Sequence, residues 1–298
     1  MSTPSPAFEH RAPDGSPLNS RDLSYAQSAK TRLGRAIVRG IENMTGRPKL
    51  VRAVLDYQRD LEAGNSFWEV MWERFQLKLD LPGGGLANIP KEGPLVCVAN
   101  HPYGILDGLA FGTILQKTRP DFKILANQWL VKAPEIDHQI LPIDRSETRE
   151  ALRTNLATRR TALEHLRAGG CIAVFPGGTI AAGRKFYKPA FDPDWKTFTA
   201  TMIRASKAPV LPMLFEGQNS RMFQIASSLN STLRLALLIS EFEKRVGDSV
   251  RVIIGEQIGR ETLETYSDPR ELMNFLRSRT YSLSPQLIGK LTEGRPWG

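Results

Sequence analysis

The chain has 298 residues, enough for one large α/β domain or one domain with a small helical extension. Hydrophobic residues make up 41% of it and charged residues 24%, a globular balance that excludes wholesale disorder. Forty Lys and Arg against 31 Asp and Glu leave a net charge of +9, which suits an anionic partner such as a membrane surface, a nucleic acid or an acidic carrier protein.

From Met1 to about Asn19 the chain is polar and Pro-rich with no apolar core, so residues 1–19 are expected to be a flexible tail and not a secretory signal. Residues 20–79 read as helical throughout. Leu33, Ile37, Ile41 and Met44 recur at helical spacing with Lys30, Arg32, Arg35 and Arg39 around them. Gly46 and Pro48 break the pattern, and Leu50, Val51, Val54, Leu55 and Leu61 begin another helix. A third segment carries Phe67, Trp68, Val70, Met71, Trp72 and Phe75, and Pro82-Gly83-Gly84-Gly85 ends the region. A basic helix beside a Trp-rich one has the composition of an interfacial pair, and apolar stripes of this kind also pack as core; both readings stay open.

Beyond residue 86 short strands alternate with helices. The strands are expected at Leu95–Ala99, Phe122–Ala126, Cys171–Phe175, Val210–Phe215 and Val250–Ile254. The helices are expected at Leu106–Gln116, Thr148–Arg167, Trp195–Ser206 and Pro269–Arg279. The expected fold is therefore α/β, a mixed and mostly parallel sheet flanked by helices, with residues 86–298 as the α/β domain and residues 20–85 as an N-terminal helical extension for membrane-surface contact. No run of about 18 apolar residues occurs, so no transmembrane helix is expected. Cys97 and Cys171, the two cysteines, lie in short apolar runs and read as buried thiols of a reducing compartment. The expected location is cytoplasmic, peripheral on the inner face of the cell membrane.

The segment from Val98 to Gly108 reads as an apolar strand running into His101, then a Pro/Gly turn, then Asp107 opening an apolar helix. A His at a strand end with a carboxylate one turn away can hold one ring nitrogen protonated and leave the other free to accept a proton. This is a Ser-His-Asp arrangement without its serine, so the hydroxyl to be activated would belong to the substrate. About 70 residues on, Val174-Phe175-Pro176-Gly177-Gly178-Thr179 again ends an apolar strand in a Pro/Gly turn, where backbone N–H groups can approach an oxyanion or a head group.

In this order the two segments resemble the first and third blocks of the glycerolipid acyltransferase family, which includes the lysophosphatidic acid acyltransferases. The family's first block is Asn-His, four residues, then Asp; its third is Phe-Pro-Glu-Gly-Thr-Arg. Gln139-Ile140-Leu141-Pro142-Ile143-Asp144-Arg145 resembles the second block, which ends in a substrate-binding Arg, and the stretch from Ala208 to Ser220 resembles the fourth. The resemblance implies that His101 is the general base and Asp107 its partner. It also implies substrate contacts from Asn100, Tyr103, Gly104, Arg145, Gly177, Gly178 and Thr179, with Arg184, Lys185 and Lys188 as nearby cations. The implied donor is acyl-ACP or acyl-CoA, used as a substrate with no bound cofactor or metal, and the implied acceptor is a lyso-lipid.

Two departures stand out. Five residues separate His101 from Asp107 instead of four, and the Pro102–Gly104 turn would have to absorb the extra one. Gly177 and Ile180 stand where the family has the Glu and Arg that help hold the acceptor phosphate. Asn-His-Pro together with Phe-Pro-Gly-Gly resembles the branch that acts on bacterial ornithine-type aminolipids, which favours a lyso-aminolipid over lysophosphatidate.

Other features carry less. His165, in a helix among Arg and Glu, is expected to be exposed, and His138 follows Glu135 and Asp137 at a spacing that matches no zinc motif. The amphipathic stretch from Asn219 to Phe242 fits an acyl tunnel wall, a bilayer face or core. Dispersed positive charge with no reading module argues against nucleic acid, and a serine hydrolase would want a Gly-x-Ser-x-Gly elbow, which is lacking. A non-catalytic basic lipid-binding protein is the rival from another class.

Overall fold

A computed structural model describes residues 24–26, 29, 31–127, 133–144, 146, 148–183 and 189–287, apart from the Ser231 side chain. The tail expected at residues 1–19 lies outside them. Seven strands form one sheet: β1 (Lys78–Asp80), β2 (Leu95–Ala99), β3 (Lys123–Asn127), β4 (Ile140–Ile143), β5 (Cys171–Val174), β6 (Val210–Phe215) and β7 (Ser249–Ile254), in the order β1-β7-β6-β2-β5-β3-β4. The helices before β2 are α1 (Arg32–Met44), α2 (Arg47–Ala53), α3 (Tyr57–Glu62) and α4 (Phe67–Arg74). Those after it are α5 (Ile105–Thr118), α6 (Arg149–Arg167), α7 (Thr197–Ser206), α8 (Arg221–Leu229), α9 (Ser231–Glu243), α10 (Arg260–Glu264) and α11 (Pro269–Tyr281). The five strands from β6 to β4 run parallel, while β7 is antiparallel to β6 and β1 parallel to β7. The fold is thus α/β with a mixed, mostly parallel sheet. The short runs with no period-two alternation explain why. Every residue of β2, β5 and β6 is buried, as strands covered on both faces require.

Successive side chains of β2 feed two different cores. Leu95, Cys97 and Ala99 join one built with α4 and α5. Val96 and Val98 join the other, built with α6, α7 and α11. At the amino end of the parallel strands the buried Arg119 guanidinium pins three loops together. It donates to Pro90 O, Gly93 O and Gly169 O and pairs with Asp121.

The N-terminal region departs from the expectation at its end. It is not helical to residue 79, because Lys78–Asp80 pairs with Ser249–Arg251 as a sheet edge. A three-residue strand holds no periodicity for a sequence pattern to show. For the Trp-rich segment, left open between core and interface, the core reading holds: Trp68 and Trp72 are 5% and 8% exposed. Trp68 Nε1 donates to Gln139 Oε1 at 2.7 Å, so even the polar edge of the indole is satisfied inside. Its ring lies against the α5 backbone, where a Cβ on Gly112 would come within 2.1 Å of it.

The first helix, α1, faces the other way. It packs Val38 against Ala236 of α9, and leaves Leu33, Ile37 and Met44 exposed beside Arg32, Arg35 and Arg39. The stretch from Asn219 to Phe242 forms two helices, α8 and α9, split at Asn230, which caps α9 by accepting from Thr232 N–H. The inner face of the pair is core through Phe223 and Leu238, while Met222, Ile225 and Leu229 of α8 are exposed. No helix among the described residues is long and apolar enough to cross a membrane.

Gly112→Ala should push Trp68 off α5 and lower the unfolding free energy by about 1–2 kcal/mol net, since overpacking outweighs the roughly 1 kcal/mol that Ala adds in a helix. A fall in the urea midpoint at unchanged slope is expected. An unchanged midpoint would mean that the indole does not rest on this backbone.

Candidate active site

The register of the central strands decides which loops meet. Val98 of β2 is level with Val174 of β5 and Pro212 of β6. Three loops therefore leave adjacent parallel strands at one carboxyl end: His101 onward from β2, Phe175 onward from β5 and Glu216 onward from β6, the usual place for a site in an open α/β sheet. The second block has a different position. It runs along β4, the edge strand two places from β5, and its Arg145 lies outside the described residues, as do Arg184, Lys185 and Lys188.

His101 Nδ1 lies 2.9 Å from Asp107 Oδ2, with the carboxylate fully buried and the imidazole 14% exposed. The extra residue between them is taken up by the turn. Gly104 adopts φ 89°, and the N–H groups of Tyr103 and Gly104 both donate to Asp107 Oδ2, at 2.8 and 2.9 Å, which caps the first turn of α5. Only glycine fits there, because a Cβ would come within 2.8 Å of Ile180 Cδ1. Burial pushes the Asp107 carboxyl above its ordinary value, and the His101 ring and the two N–H donors pull it back toward the ionised form. With Nδ1 turned to Asp107, Nε2 is the nitrogen left for a substrate. The ring stacks on Phe175 with centroids 4.3 Å apart, and Phe175 rests in turn on Phe111 and Phe215.

Three residues expected to touch substrate prove to be internal. The Asn100 amide donates to Phe215 O and accepts from Phe215 N–H, splicing the end of β2 to β6. The Tyr103 hydroxyl donates to Glu216 O, with Arg245 over its ring, and Gly104 is buried beneath Ile180. Asn100 and Tyr103 thereby hold the first block against the fourth, while Gly104 packs against the third. Within the third block, Gly178 at φ 68° donates its N–H to Phe175 O, so that donor closes the turn and is not open to an oxyanion. Thr179 and Gly178 are half-exposed. Ile180 is buried with Phe223 and Leu238, so the place of the family Arg is filled by packing.

Several participants carried no signal in the sequence. Arg234 of α9 donates to Thr179 Oγ1 at 3.0 Å and to Ile180 O, bringing a guanidinium to the third block from about 55 residues away. Asp192, 2% exposed, accepts the His101 backbone N–H at 3.0 Å and the Trp195 indole N–H at 2.9 Å. Burial raises its carboxyl to about 6. His165, expected at the surface, is half-buried, and Gly170 leaves room for its ring, which a Cβ would meet at 2.3 Å. His138 is exposed on a single 3-10 turn, and nearby Glu135 accepts from the Tyr57 hydroxyl. Among the described residues no cluster of three or more His, Cys, Asp or Glu side chains could hold a metal.

Residues 84–216 match a family model described as Acyltransferase. A lyso-glycine lipid O-acyltransferase of Phocaeicola vulgatus is 26% identical over 229 residues, covering 74% of this chain and 79% of the relative. A lyso-glycine lipid O-acyltransferase of Bacteroides thetaiotaomicron is 25% identical over 241 residues, covering 78% of this chain and 85% of the relative. Among solved structures, the 1-acyl-sn-glycerophosphate (LPA) acyltransferase PlsC of Thermotoga maritima aligns over 92% of this chain and 87% of its own, with a TM-score of 0.47 and 16% identity.

The raised Asp192 carboxyl sets a pH signature. A group whose folded pKa exceeds its unfolded value of 3.8 favours the folded state fully below 3.8 and loses that contribution as pH rises through about 6. The stability of the wild type relative to Asp192→Asn should therefore fall between pH 4 and pH 7. A pH-independent difference in melting temperature would contradict the raised value.

Proposed function

We propose that this chain, whose residues 84–216 match the Acyltransferase family model, is a glycerolipid acyltransferase that moves a fatty acyl chain from a thioester to the hydroxyl of a lyso-aminolipid. Acyl transfer on lipids follows from the family. The observation that carries the mechanism is the His101–Asp107 contact at 2.9 Å, on a buried carboxylate at the end of the central strand.

In this reading the acceptor O–H lies at His101 Nε2. The imidazole takes the proton as the oxygen attacks the thioester carbonyl carbon, and the C–O bond forms. Asp107 stabilises the imidazolium and holds the ring in place against Phe175. The tetrahedral oxyanion is met by backbone N–H groups beside the Gly178 turn, those of Gly177 and Thr179. Collapse breaks the C–S bond, and the departing thiolate takes the proton back from His101. Every proton is returned, so the residues described suffice for the chemistry, and the donor, acyl-ACP or acyl-CoA, enters and leaves as a substrate.

The choice of acceptor rests on the third block. Gly177 and Ile180 offer no charge to a phosphomonoester, and Ile180 is buried among apolar side chains. Arg234, held at Thr179, brings a cation to this block, and a guanidinium can pair with the carboxylate of an aminolipid head group. The two relatives named for a lyso-glycine lipid support the same choice.

The acceptor is delivered from a membrane surface, with the protein peripheral on its cytoplasmic side. The support is the face of α1 that shows Leu33, Ile37 and Met44 among three arginines, together with the exposed Met222, Ile225 and Leu229 of α8. Leu33→Asp with Ile37→Asp should weaken binding to vesicles containing anionic lipid by at least about tenfold, given the roughly 1.5–3 kcal/mol that burying each side chain contributes. Undiminished cosedimentation would move the contact elsewhere.

The deciding assay offers purified protein labelled acyl-ACP and acyl-CoA with lysophosphatidate beside lyso-glycine and lyso-ornithine lipids. Labelled aminolipid is expected, reduced by about 10²–10⁴-fold in His101→Ala. Labelled phosphatidate would overturn the acceptor assignment and keep the mechanism. Wild-type turnover in His101→Ala would remove His101 as the base, and the absence of product from all acceptors would reject the lyso-lipid reading.

A further inference from the structure

The peptide unit of His101 is gripped on both sides by one excursion of the chain. On one side its N–H donates to Asp192 Oδ1 at 3.0 Å; on the other its carbonyl accepts from Ala181 N–H at 2.7 Å. Ala181 and Asp192 each lie next to an antiparallel bridge between Ala182 and Phe191. The chain after Asp192 then runs along the third-block turn. Lys196 N–H donates to Pro176 O at 2.9 Å, and Gly177 faces Asp192 so closely that a Cβ there would lie 3.1 Å from Asp192 Cβ.

Phe191 and Asp192 are themselves fixed from behind. The Asp192 backbone N–H donates to the Tyr281 hydroxyl at 2.9 Å, its carbonyl accepts from Arg277, and Phe191 meets the Tyr281 ring edge-on at 5.1 Å. Arg277 and Tyr281 belong to α11, near the far end of the chain and outside the region that matches the family model.

We infer that Asp192 is the positioning residue for the base, joining the His101 peptide and the Gly177 turn into one rigid unit anchored on α11. This rests on His101 being the base. The Asp107 contact fixes the imidazole only if the main chain beneath it stays still, and a buried carboxylate binding two N–H donors is a stiff restraint on it. Gly177 belongs to the same packing, since a Cβ there would press on the Asp192 side chain from 3.1 Å.

The test uses acyl-transfer kinetics on full-length variants, with His101→Ala as the reference. Asp192→Ala is expected to lower kcat about 100-fold, the scale on which an ångström of misplacement acts. KM values for donor and acceptor should stay within about threefold, and the NMR chemical shifts of the His101 ring protons should move. Asp192→Asn keeps an oxygen for the His101 N–H but turns an amide donor toward the Trp195 N–H. Adding Trp195→Phe removes that donor–donor conflict, so the double variant, Asp192→Asn with Trp195→Phe, should regain the kcat of Trp195→Phe alone. If Asp192→Ala does not fold, Gly177→Ala serves in its place, with the same expected fall in kcat at unchanged KM.

Rescue of kcat in that double variant, with no rescue when Asp192→Ala is combined with Trp195→Phe, would support the assignment. Wild-type kcat in folded Asp192→Ala or Gly177→Ala would overturn it while leaving His101 as the base. Should His101→Ala itself retain turnover, the reading of the base fails first, whatever Asp192 does.

Discussion

β2 is hydrogen-bonded along both edges and buried on both faces, and its pairing with β5 and β6 decides where everything else stands. A slip of one residue would exchange Leu95, Cys97 and Ala99 with Val96 and Val98 between two cores of different shape, so the hydrophobic effect specifies the register strongly. With the register set, Val98, Val174 and Pro212 come level, and the loops after them have no choice but to meet. The Arg119 guanidinium at the opposite end acts on the same alignment by tying together the loops that lead into β2 and β5.

Around His101 the chain buries two carboxylates, each costly to desolvate and each accepting from two N–H donors. Asp107 sits at the first turn of α5, receives two backbone N–H groups and faces the ring. Asp192 comes from a distant loop and receives the His101 peptide N–H and the Trp195 indole. One acts on the imidazole and the other on the main chain that carries it. Burial raises both carboxyls, and the His101 ring and the N–H donors pull Asp107 back while the N–H donors and neighbouring charges do the same for Asp192. Residues such as Asn100 and Tyr103 then serve the site indirectly, by stitching the first loop to the end of β6.

The sheet was legible because each buried strand is a short apolar run bounded by turn residues, and Leu95–Ala99 and Val210–Phe215 match their expected bounds. β1 and β4 were not expected, since three or four residues on a sheet edge carry no distinguishing pattern. The Trp-rich segment was ambiguous for a related reason. Its apolar stripe serves a core or an interface equally well, and the choice depends on Gly112 of a helix about 40 residues away, which lets the Trp68 ring lie on its backbone.

Local spacing along the chain was enough to bring out His101, Asp107 and the Gly177-Gly178 turn, because a catalytic His at a strand end and a glycine turn are made of neighbouring residues. Together with the family resemblance they carried the reading of the chemistry. Tertiary structure alone decided that the turn after His101 has room for five residues, through the positive φ of Gly104. It alone brought Asp192, Arg234, Arg277 and Tyr281 to the site, and took the apolar face of α1 outward and that of α4 inward. The reason is physical: a contact between residues 50 to 90 positions apart leaves no period or spacing in a sequence, and exists only once the buried strands have fixed where each loop ends.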